Sequence, residues 1–273
     1  MQLSRRALLT TMVNVGIGAG VGGFVYGESI ERHRLELTRT DLAISGLDPA
    51  HDGLRIAFLT DLHLSALVPA ADIERAVRLA MQARPDMVVL GGDYVSFGDR
   101  SYVGPVAELL DPLEAPMGVF AVLGNHDEER SVTTAFERRG FSLLLDRWTR
   151  VEIKGAPLDI GGVRFWTRRR DVSAALRGSG PTMLLLAHDP RRLREAAALD
   201  IGGVLSGHTH GGQIVLPGVG ALAARKFPIA AGLIREGNTS MFVSRGIGTV
   251  YAPIRIGCPP EVSIVTLRRR ANY

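Results

Sequence analysis

The sequence predicts an α/β fold, in which sheets of mostly parallel strands are covered by helices. Short apolar runs of strand length, such as Leu54–Thr60, recur along the chain with helical patterns between them. Apolar residues make up 46% of the chain and charged residues 22%, which is typical of a globular protein with a sizeable core. Five of the apolar runs end in a carboxylate, an amide or an imidazole, and α/β sheets bind ligands at such strand ends.

The first half of the chain alternates strands with helices. Asp72–Ala83 repeats apolar residues at helical spacing, and Ser131 is a typical N-cap for a helix that runs to Arg139 and ends at Gly140. The other predicted elements are strands at Leu54–Thr60, Met87–Leu90 and Val119–Leu123 and a helix at Val106–Leu113.

The middle and the tail predict a second sheet beside the first. Gly161-Gly162 is expected to form a hairpin turn between short strands, and Pro190–Leu199 is expected to be a helix. The predicted strands are Trp148–Ile153, Leu158–Ile160, Val163–Thr167, Met183–Ala187, Ile201–Ser206, Ser240–Ser244 and Glu261–Leu267. Because no linker interrupts residues 41–273, we predict one domain there, preceded by a polar linker at residues 28–40.

The N-terminus predicts export. Ser4-Arg5-Arg6 followed by uncharged residues to Tyr26 resembles a twin-arginine signal, although Leu8 stands where phenylalanine is usual. Twenty helical residues at about 1.5 Å each span roughly 30 Å, the thickness of a bilayer core. Residues 1–27 are therefore predicted to be a twin-arginine signal or a membrane anchor. The expected partners are the twin-arginine export machinery and the membrane, with the catalytic domain on the outer, periplasmic side.

Charge and cysteine content exclude several kinds of binding site and cross-link. The net charge is +4, of which Arg5 and Arg6 in the first segment supply two, and this mild excess predicts no specific nucleic-acid binding. The single cysteine, Cys258, excludes an internal disulfide and a zinc site built from several thiolates.

The polar residues at the strand ends form the candidate site. Five of the seven histidines lie there, whereas His33 and His51 lie elsewhere and are given no role. A lone His-x-His pair is usually an ordinary polar turn, but five polar strand ends in series are not expected by chance. In chain order the candidates are Asp61, His63, Asp93, Asn125, His126, His188, His208 and His210.

These ligand types indicate a divalent metal site. Carboxylates, imidazoles and one amide, with no thiolate, suit Mn²⁺, Fe or Zn²⁺. Seven candidate ligands exceed the number that one ion takes from a protein, so two ions are implied, and a carboxylate such as Asp93 can bridge them. Paired ions about 3.5–4 Å apart hold a hydroxide and clamp phosphate oxygens.

The same residues carry a family resemblance across residues 54–210. Their motifs resemble those of the calcineurin-like metallophosphoesterases, in the same order and at similar spacing. The tail, from Gly211-Gly-Gln to Cys258-Pro-Pro-Glu261, resembles a branch of membrane-associated or twin-arginine-exported phosphodiesterases. The motifs are Asp61-Leu-His63, Gly92-Asp93, Gly124-Asn125-His126-Asp127, His188 and Gly207-His208-Thr-His210.

The resemblance implies a four-layer α/β/β/α sandwich and a role for each residue. His126 is expected over the substrate phosphate, where it stabilises transition-state charge or protonates the leaving oxygen, and Asp127 is expected to orient it. One metal is implied at Asp61, His63, Asp93 and His210, and the other at Asp93, Asn125, His188 and His208.

Two stretches depart from the family pattern. Ser96 stands where many members have a second aspartate, from which we expect a local effect only. Phe165–Arg170 lacks the glycine–aspartate character expected before His188. Its arginines, Arg168–Arg170, either grip a second phosphate or have only a surface role.

The expected function is therefore a dinuclear metal-dependent phosphoesterase, in which a metal-bridging hydroxide hydrolyses a phosphodiester or pyrophosphate. A membrane location favours an envelope lipid or a nucleotide-linked lipid sugar as the substrate. The alternative is a non-catalytic metal-binding scaffold of the same fold.

Overall fold

A computed structural model describes residues 20–180 and 182–270, which form four layers in the order α/β/β/α. Two six-stranded sheets are stacked face to face, and helices cover the outer face of each. The fold predicted from the sequence is confirmed.

The first sheet has the strand order β1-β14-β2-β3-β4-β5. Its strands are parallel except where β14 meets β2. Their bounds are β1 Glu36–Ile44, β2 Arg55–Leu59, β3 Met87–Leu90, β4 Val119–Ala121, β5 Ser142–Leu143 and β14 Glu261–Arg269.

The second sheet has the order β12-β13-β9-β8-β7-β6, and its four central strands are parallel. Their bounds are β6 Arg147–Ile153, β7 Ala156–Val163, β8 Met183–Ala187, β9 Gly203–Ser206, β12 Gly232–Glu236 and β13 Thr239–Val243. A small hairpin, β10 Val215–Leu216 and β11 Gly220–Ala221, follows β9 outside both sheets.

The helices bury one apolar face each against a sheet. Helix α1 covers residues 20–29 of the described chain. Helices α2 Ala70–Gln82, α3 Val103–Leu110 and α4 Glu129–Glu137 pack on the first sheet. Helices α5 Arg169–Ala175 and α6 Leu193–Ala198 pack on the second. A third apolar cluster, including Phe58, Leu186 and Phe242, lies between the sheets.

Several local predictions were wrong, and the predicted strand Val163–Thr167 is one of them, because β7 ends at Val163. The predicted linker, residues 28–40, contains the start of β1 from Glu36, because this segment pairs in parallel with β14. The N-cap of α4 is Glu128, whose carboxylate accepts a hydrogen bond from the Ser131 backbone N–H at 2.9 Å. The hairpin turn between β6 and β7 lies at Lys154-Gly155, where both residues adopt positive φ, and not at Gly161-Gly162.

Gly161 and Gly162 lie inside β7 because the neighbouring layers leave no room for side chains. A Cβ at Gly162 would overlap Leu144 and come within 2.8 Å of Val122 Cγ1. A Cβ at Gly161 would lie 2.8 Å from Met183 Sδ. The pair therefore marks a close approach of β7 to its neighbours rather than a turn.

The described residues contain no helix that is long and apolar enough to span a membrane. Most of the predicted signal or anchor, residues 1–27, lies outside the described part of the chain. Only residues 20–27 of this segment are described.

We expect Gly162→Ala to destabilise the fold by about 1–3 kcal/mol, because the added methyl group overpacks the contact with Leu144. Urea unfolding of the metal-free protein measures the change. Gly104→Ala is the matched control, since its Cβ would meet nothing within 4 Å. Equal unfolding free energies for the two variants would contradict this account of β7.

Candidate metal centre

The predicted metal ligands meet where strands of both sheets end. Two clusters can each hold a metal ion, and within each cluster one ligand atom per residue lies within 4.8 Å of the others. The first cluster is Asp61, His63 and His210, and the second is Asp93, His188 and His208. The loops after β2, β3, β8 and β9 supply these six side chains.

The carboxylate of Asp93 lies between the two clusters. Its Oδ2 is 3.4 Å from His63 Nε2 in the first cluster and 3.2 Å from His188 Nε2 in the second. Its Oδ1 accepts a hydrogen bond from the His126 backbone N–H at 2.8 Å. One oxygen is thus held by the backbone while the other faces both clusters, as a bridging ligand requires.

Two imidazoles are oriented through their Nδ1 atoms. His188 Nδ1 donates to the Gly91 carbonyl oxygen at 2.8 Å, and His63 Nδ1 lies 3.2 Å from the Ser96 hydroxyl. In both rings Nε2 is left to face the cluster, which is how proteins commonly fix a histidine ligand. Ser96, the residue that departs from the family pattern, therefore contacts a candidate ligand.

The side chains fit a divalent metal pair. His63 Nε2 and His210 Nε2 are only 3.1 Å apart, although both rings are buried. Asn125 Oδ1 is buried without a hydrogen bond among the described residues. His188 Nε2 also lacks a well-directed hydrogen bond there, although Asp93 Oδ2 is near. A buried amide oxygen without a partner and two imidazole nitrogens that face each other are arranged as the ligands of a cation would be.

The electrostatics keep most of these groups ready to bind a cation. Burial lowers the pKa of His208 to about 4 and that of His210 well below its usual value, so both rings are neutral at pH 7. Burial works against ionisation of Asp93, but His188 and His63 hold its pKa well below the usual value.

His188 behaves differently in the metal-free protein. Burial alone would lower its pKa, but the negative charge of Asp93 raises it to about 10. Its proton then occupies the place beside Asp93 that a metal ion would take.

Backbone strain is concentrated at the ligands. Five of them adopt left-handed backbone conformations, which cost about 1–3 kcal/mol each for residues other than glycine. They are Asp61 (φ 55°), His63 (φ 50°), Asp93 (φ 56°), His208 (φ 73°) and His210 (φ 50°). Gly207 and Gly124 leave the space that Asp61 and Asp93 need, because a Cβ at either glycine would overlap the carboxylate.

His126 is held as a neutral ring. Its Nδ1 accepts a hydrogen bond from the Phe97 backbone N–H at 2.9 Å, so the neutral ring carries its proton on Nε2. Burial lowers its pKa further, and the nearby negative charge of Asp93 opposes this only in part. The rings of His63, Phe97 and Tyr251 lie within 6.3 Å of the His126 ring.

The expectation that Asp127 orients the His126 ring is wrong. In the described chain the Asp127 carboxylate accepts three backbone hydrogen bonds and none from the His126 side chain. The donors are the N–H groups of Asp93 at 2.7 Å, Tyr94 at 2.8 Å and Gly124 at 2.8 Å. Asp127 therefore joins the loop after β4 to the loop that carries Asp93, because its carboxylate accepts from backbone N–H groups of both loops.

Three further residues of the site, Phe165, Phe227 and Arg255, were not predicted as site residues from the sequence. His208 is packed between Phe165 and Phe227, with 5.1 Å between ring centroids on each side. Arg255 is fully buried and donates to several loop carbonyls, including His210 at 3.4 Å and Gly248 at 2.6 Å. An isolated arginine or phenylalanine in an irregular segment has no local pattern that separates it from a surface residue.

The two histidines given no role lie outside both clusters, as expected. His33 Nδ1 is 2.7 Å from Asp72 Oδ2, and His51 is buried with Nε2 3.2 Å from the Ala156 carbonyl oxygen.

A cleft of about 540 Å³ opens beside the clusters. Asp93, Asn125, His126, His208 and His210 line its inner end. Its outer walls are mostly apolar and include Ile214, Leu216, Leu222, Phe227, Val250 and Tyr251.

We expect metal binding near pH 7.5 to release at least one proton per chain, because His188 must lose its proton to bind. The raised pKa means that protonated His188 stabilises the metal-free fold below about pH 6.5, and that this contribution is lost as the pH rises through about 10. The apparent affinity for Mn²⁺ should therefore rise up to about tenfold per pH unit below pH 10.

Calorimetric titration with Mn²⁺ in two buffers of different ionisation enthalpy measures the released proton. Equal heats in both buffers, after dilution is subtracted, would contradict the assignment of this proton to His188.

Comparisons with known proteins agree with this geometry. The sequence pattern of the calcineurin-like phosphoesterase family matches residues 54–212. The chain is 30% identical to phosphodiesterase YaeI of Escherichia coli (strain K12), over 96% of this chain and 98% of that protein. It is 27% identical to the uncharacterized metallophosphoesterase YkuE of Bacillus subtilis (strain 168), over 98% of each chain.

Another relative is a transmembrane protein with a metallophosphoesterase domain from Danio rerio. It is 29% identical over 90% of this chain and 60% of that protein. With the family pattern covering more than half of the sequence and the predicted ligands gathered in two clusters, the chain belongs to the calcineurin-like phosphoesterase family and is a metal-dependent phosphoester hydrolase.

Proposed function

We propose that this hydrolase cleaves a phosphodiester or pyrophosphate bond in an envelope lipid, including nucleotide-linked lipid sugars, with two divalent ions bound. The observation that carries the proposal is the apolar cleft that opens directly onto the two clusters. The name of the E. coli relative, a phosphodiesterase, supports a diester.

Each cluster would hold one ion of Mn, Fe or Zn, and Asp93 would contact both. Asn125 would complete the second set, because its buried Oδ1 lacks another partner in the described chain. Such a pair neutralises phosphate charge and acidifies a bound water. The protein contributes the fixed positions of the ligands.

His126 would donate from Nε2–H to a phosphate oxygen on which negative charge grows. A second proton on Nδ1 would break the hydrogen bond from Phe97 N–H, which disfavours the imidazolium form. Loss of the Nε2 proton from a neutral ring would leave an imidazolate, which is too basic to form readily. Of the two roles inferred from the sequence, stabilisation of transition-state charge is therefore favoured over protonation of the leaving group.

The shape of the cleft suits a lipid. Ile214, Leu216 and Leu222 are exposed by 38%, 40% and 49%, and all three line the cleft together with the metal ligands. Apolar surface of this kind gains stability when it is covered by an acyl chain. A nucleotide alone would leave most of it in water.

A location at the outer face of the cytoplasmic membrane is part of the same proposal. Helix α1 exposes the apolar side chains of Val21, Phe24 and Val25, which face water in an isolated domain. The Danio rerio relative is named a transmembrane protein. Protease treatment of intact cells should digest the catalytic domain, and a protected domain would contradict export.

We expect His126→Ala to lower kcat by about 10²–10³-fold while two metal ions remain bound, since one donor to the transition state is lost. His126→Gln should recover part of this loss, because its amide N–H can donate in place of Nε2–H. Turnover of an aryl phosphodiester and elemental analysis of the same samples measure both effects.

The control is His33→Ala, which removes a histidine outside the clusters and should stay near wild type. If His126→Ala kept full turnover, the ring would have no part in the reaction. A complete absence of turnover in the metal-loaded wild type would favour the non-catalytic scaffold.

We expect Ile214→Asn combined with Leu222→Asn to lower the ratio of lipid to aryl diester activity by about tenfold, because less apolar surface is covered by the acyl chain. The ratio compares kcat/KM for phosphatidylglycerol in mixed micelles with kcat/KM for bis(4-nitrophenyl) phosphate. Leu199→Asn, at a residue 39% exposed that does not line the cleft, is the matched control. An equal ratio in all three proteins would rule out acyl-chain binding in this cleft.

A further inference from the structure

We propose that a second, basic cleft beside the metal centre binds another phosphate of the same substrate, separated from the reacting phosphate by a spacer about the size of a sugar. The inference rests on the proposed function, and it names a substrate feature that the metal clusters alone do not select. We call the second cleft the anion cleft.

The anion cleft has a volume of about 430 Å³ and a strongly positive lining. Its charged residues are Arg169, Arg191, Arg194, Lys226 and Arg235, against the single carboxylate Glu236. Arg169 and Arg191 are paired with Glu195 and Asp189, at 3.1 Å and 2.6 Å.

Three of the five cations have no ion pair within residues 20–180 and 182–270: Arg194, Lys226 and Arg235. All three are exposed, so an incoming anion could reach them without rearrangement of the core. Guanidinium groups match the geometry of phosphate and bind it through paired hydrogen bonds. The chemistry that fits this lining is a phosphate with two negative charges.

Phe227 connects the anion cleft to the metal centre. Its ring lines both clefts and lies 5.1 Å from the ring of His208. The Arg191 guanidinium carbon and the Lys226 ammonium lie 5.6 Å and 5.2 Å from its centroid. Two cations therefore lie against the Phe227 ring, which also packs against His208, a candidate metal ligand.

These contacts limit the length of the spacer. The distances from His208 to Phe227 and from Phe227 to the unpaired Lys226 place this ammonium group no more than 10.3 Å from the His208 ring, the sum of the two. A phosphate bound at the metals and a phosphate in the anion cleft can thus belong to one small molecule. Within the arginine run at 168–170, only Arg169 lines this cleft.

The test compares equilibrium binding of thymidine 3′,5′-bisphosphate and thymidine 5′-monophosphate to the Mn²⁺-loaded protein by calorimetry. We expect the bisphosphate to bind about tenfold more tightly. In the double variant Arg194→Gln/Arg235→Gln this preference should fall about threefold or more, since the second phosphate loses two of its three unpaired cations. Arg78→Gln, which removes an exposed arginine on α2, should keep the wild-type ratio.

Equal affinities in the wild type, or a preference that is unchanged in the double variant, would contradict a phosphate site in the anion cleft. Hydrolysis of the 5′-(4-nitrophenyl) esters of both nucleotides gives an independent reading of the proposed function. Binding that prefers the bisphosphate without turnover of either ester would support the anion cleft and reject the proposed hydrolysis. A preference in binding with a lower KM for the 3′-phosphorylated ester would support both.

Discussion

The position of the Asp93 carboxylate is the constraint on which the rest of the site depends. One oxygen is tied to the His126 backbone, and the other lies within 3.4 Å of an imidazole from each cluster. Because Asp93 itself has a positive φ, this position must be maintained by its surroundings. Gly124 has no Cβ and so leaves room for the Asp93 carboxylate, and the Asp127 carboxylate accepts a hydrogen bond from the Asp93 backbone N–H.

Buried charged residues fix the loops that carry the other ligands. Arg255 donates to the carbonyl oxygens of Arg245, Gly246 and Gly248, and Gly248 N–H in turn donates to the Asp61 carbonyl oxygen at 2.7 Å. Arg255 also reaches the His210 carbonyl oxygen, so one guanidinium links the loops behind both Asp61 and His210. Its own backbone N–H donates to Gly27 in α1, which connects the N-terminal helix to the same network.

The sequence predicted that the candidate ligands would meet because each follows a short apolar strand and parallel strands bring their ends to one edge, and six of them lie in two clusters. The same reasoning failed for Gly161-Gly162, where a close approach between layers has the same local pattern as a turn. It also failed for Asp127, because its carboxylate accepts hydrogen bonds from the backbone N–H groups of Asp93 and Gly124 and none from the side chain of its sequence neighbour His126. Arg255 and Phe227 lie in irregular segments, and only the tertiary structure shows which loops or rings they contact.

In the proposed centre two metal ions would share Asp93, and low-temperature electron paramagnetic resonance of the protein with two equivalents of Mn²⁺ tests this most directly. Ions about 3.5–4 Å apart with a common carboxylate should give the spectrum of an exchange-coupled pair. That spectrum should be lost in Asp93→Asn, whose neutral side chain is a much poorer bridge. Isolated Mn²⁺ signals in the wild type, or coupling that persists in Asp93→Asn, would contradict the account.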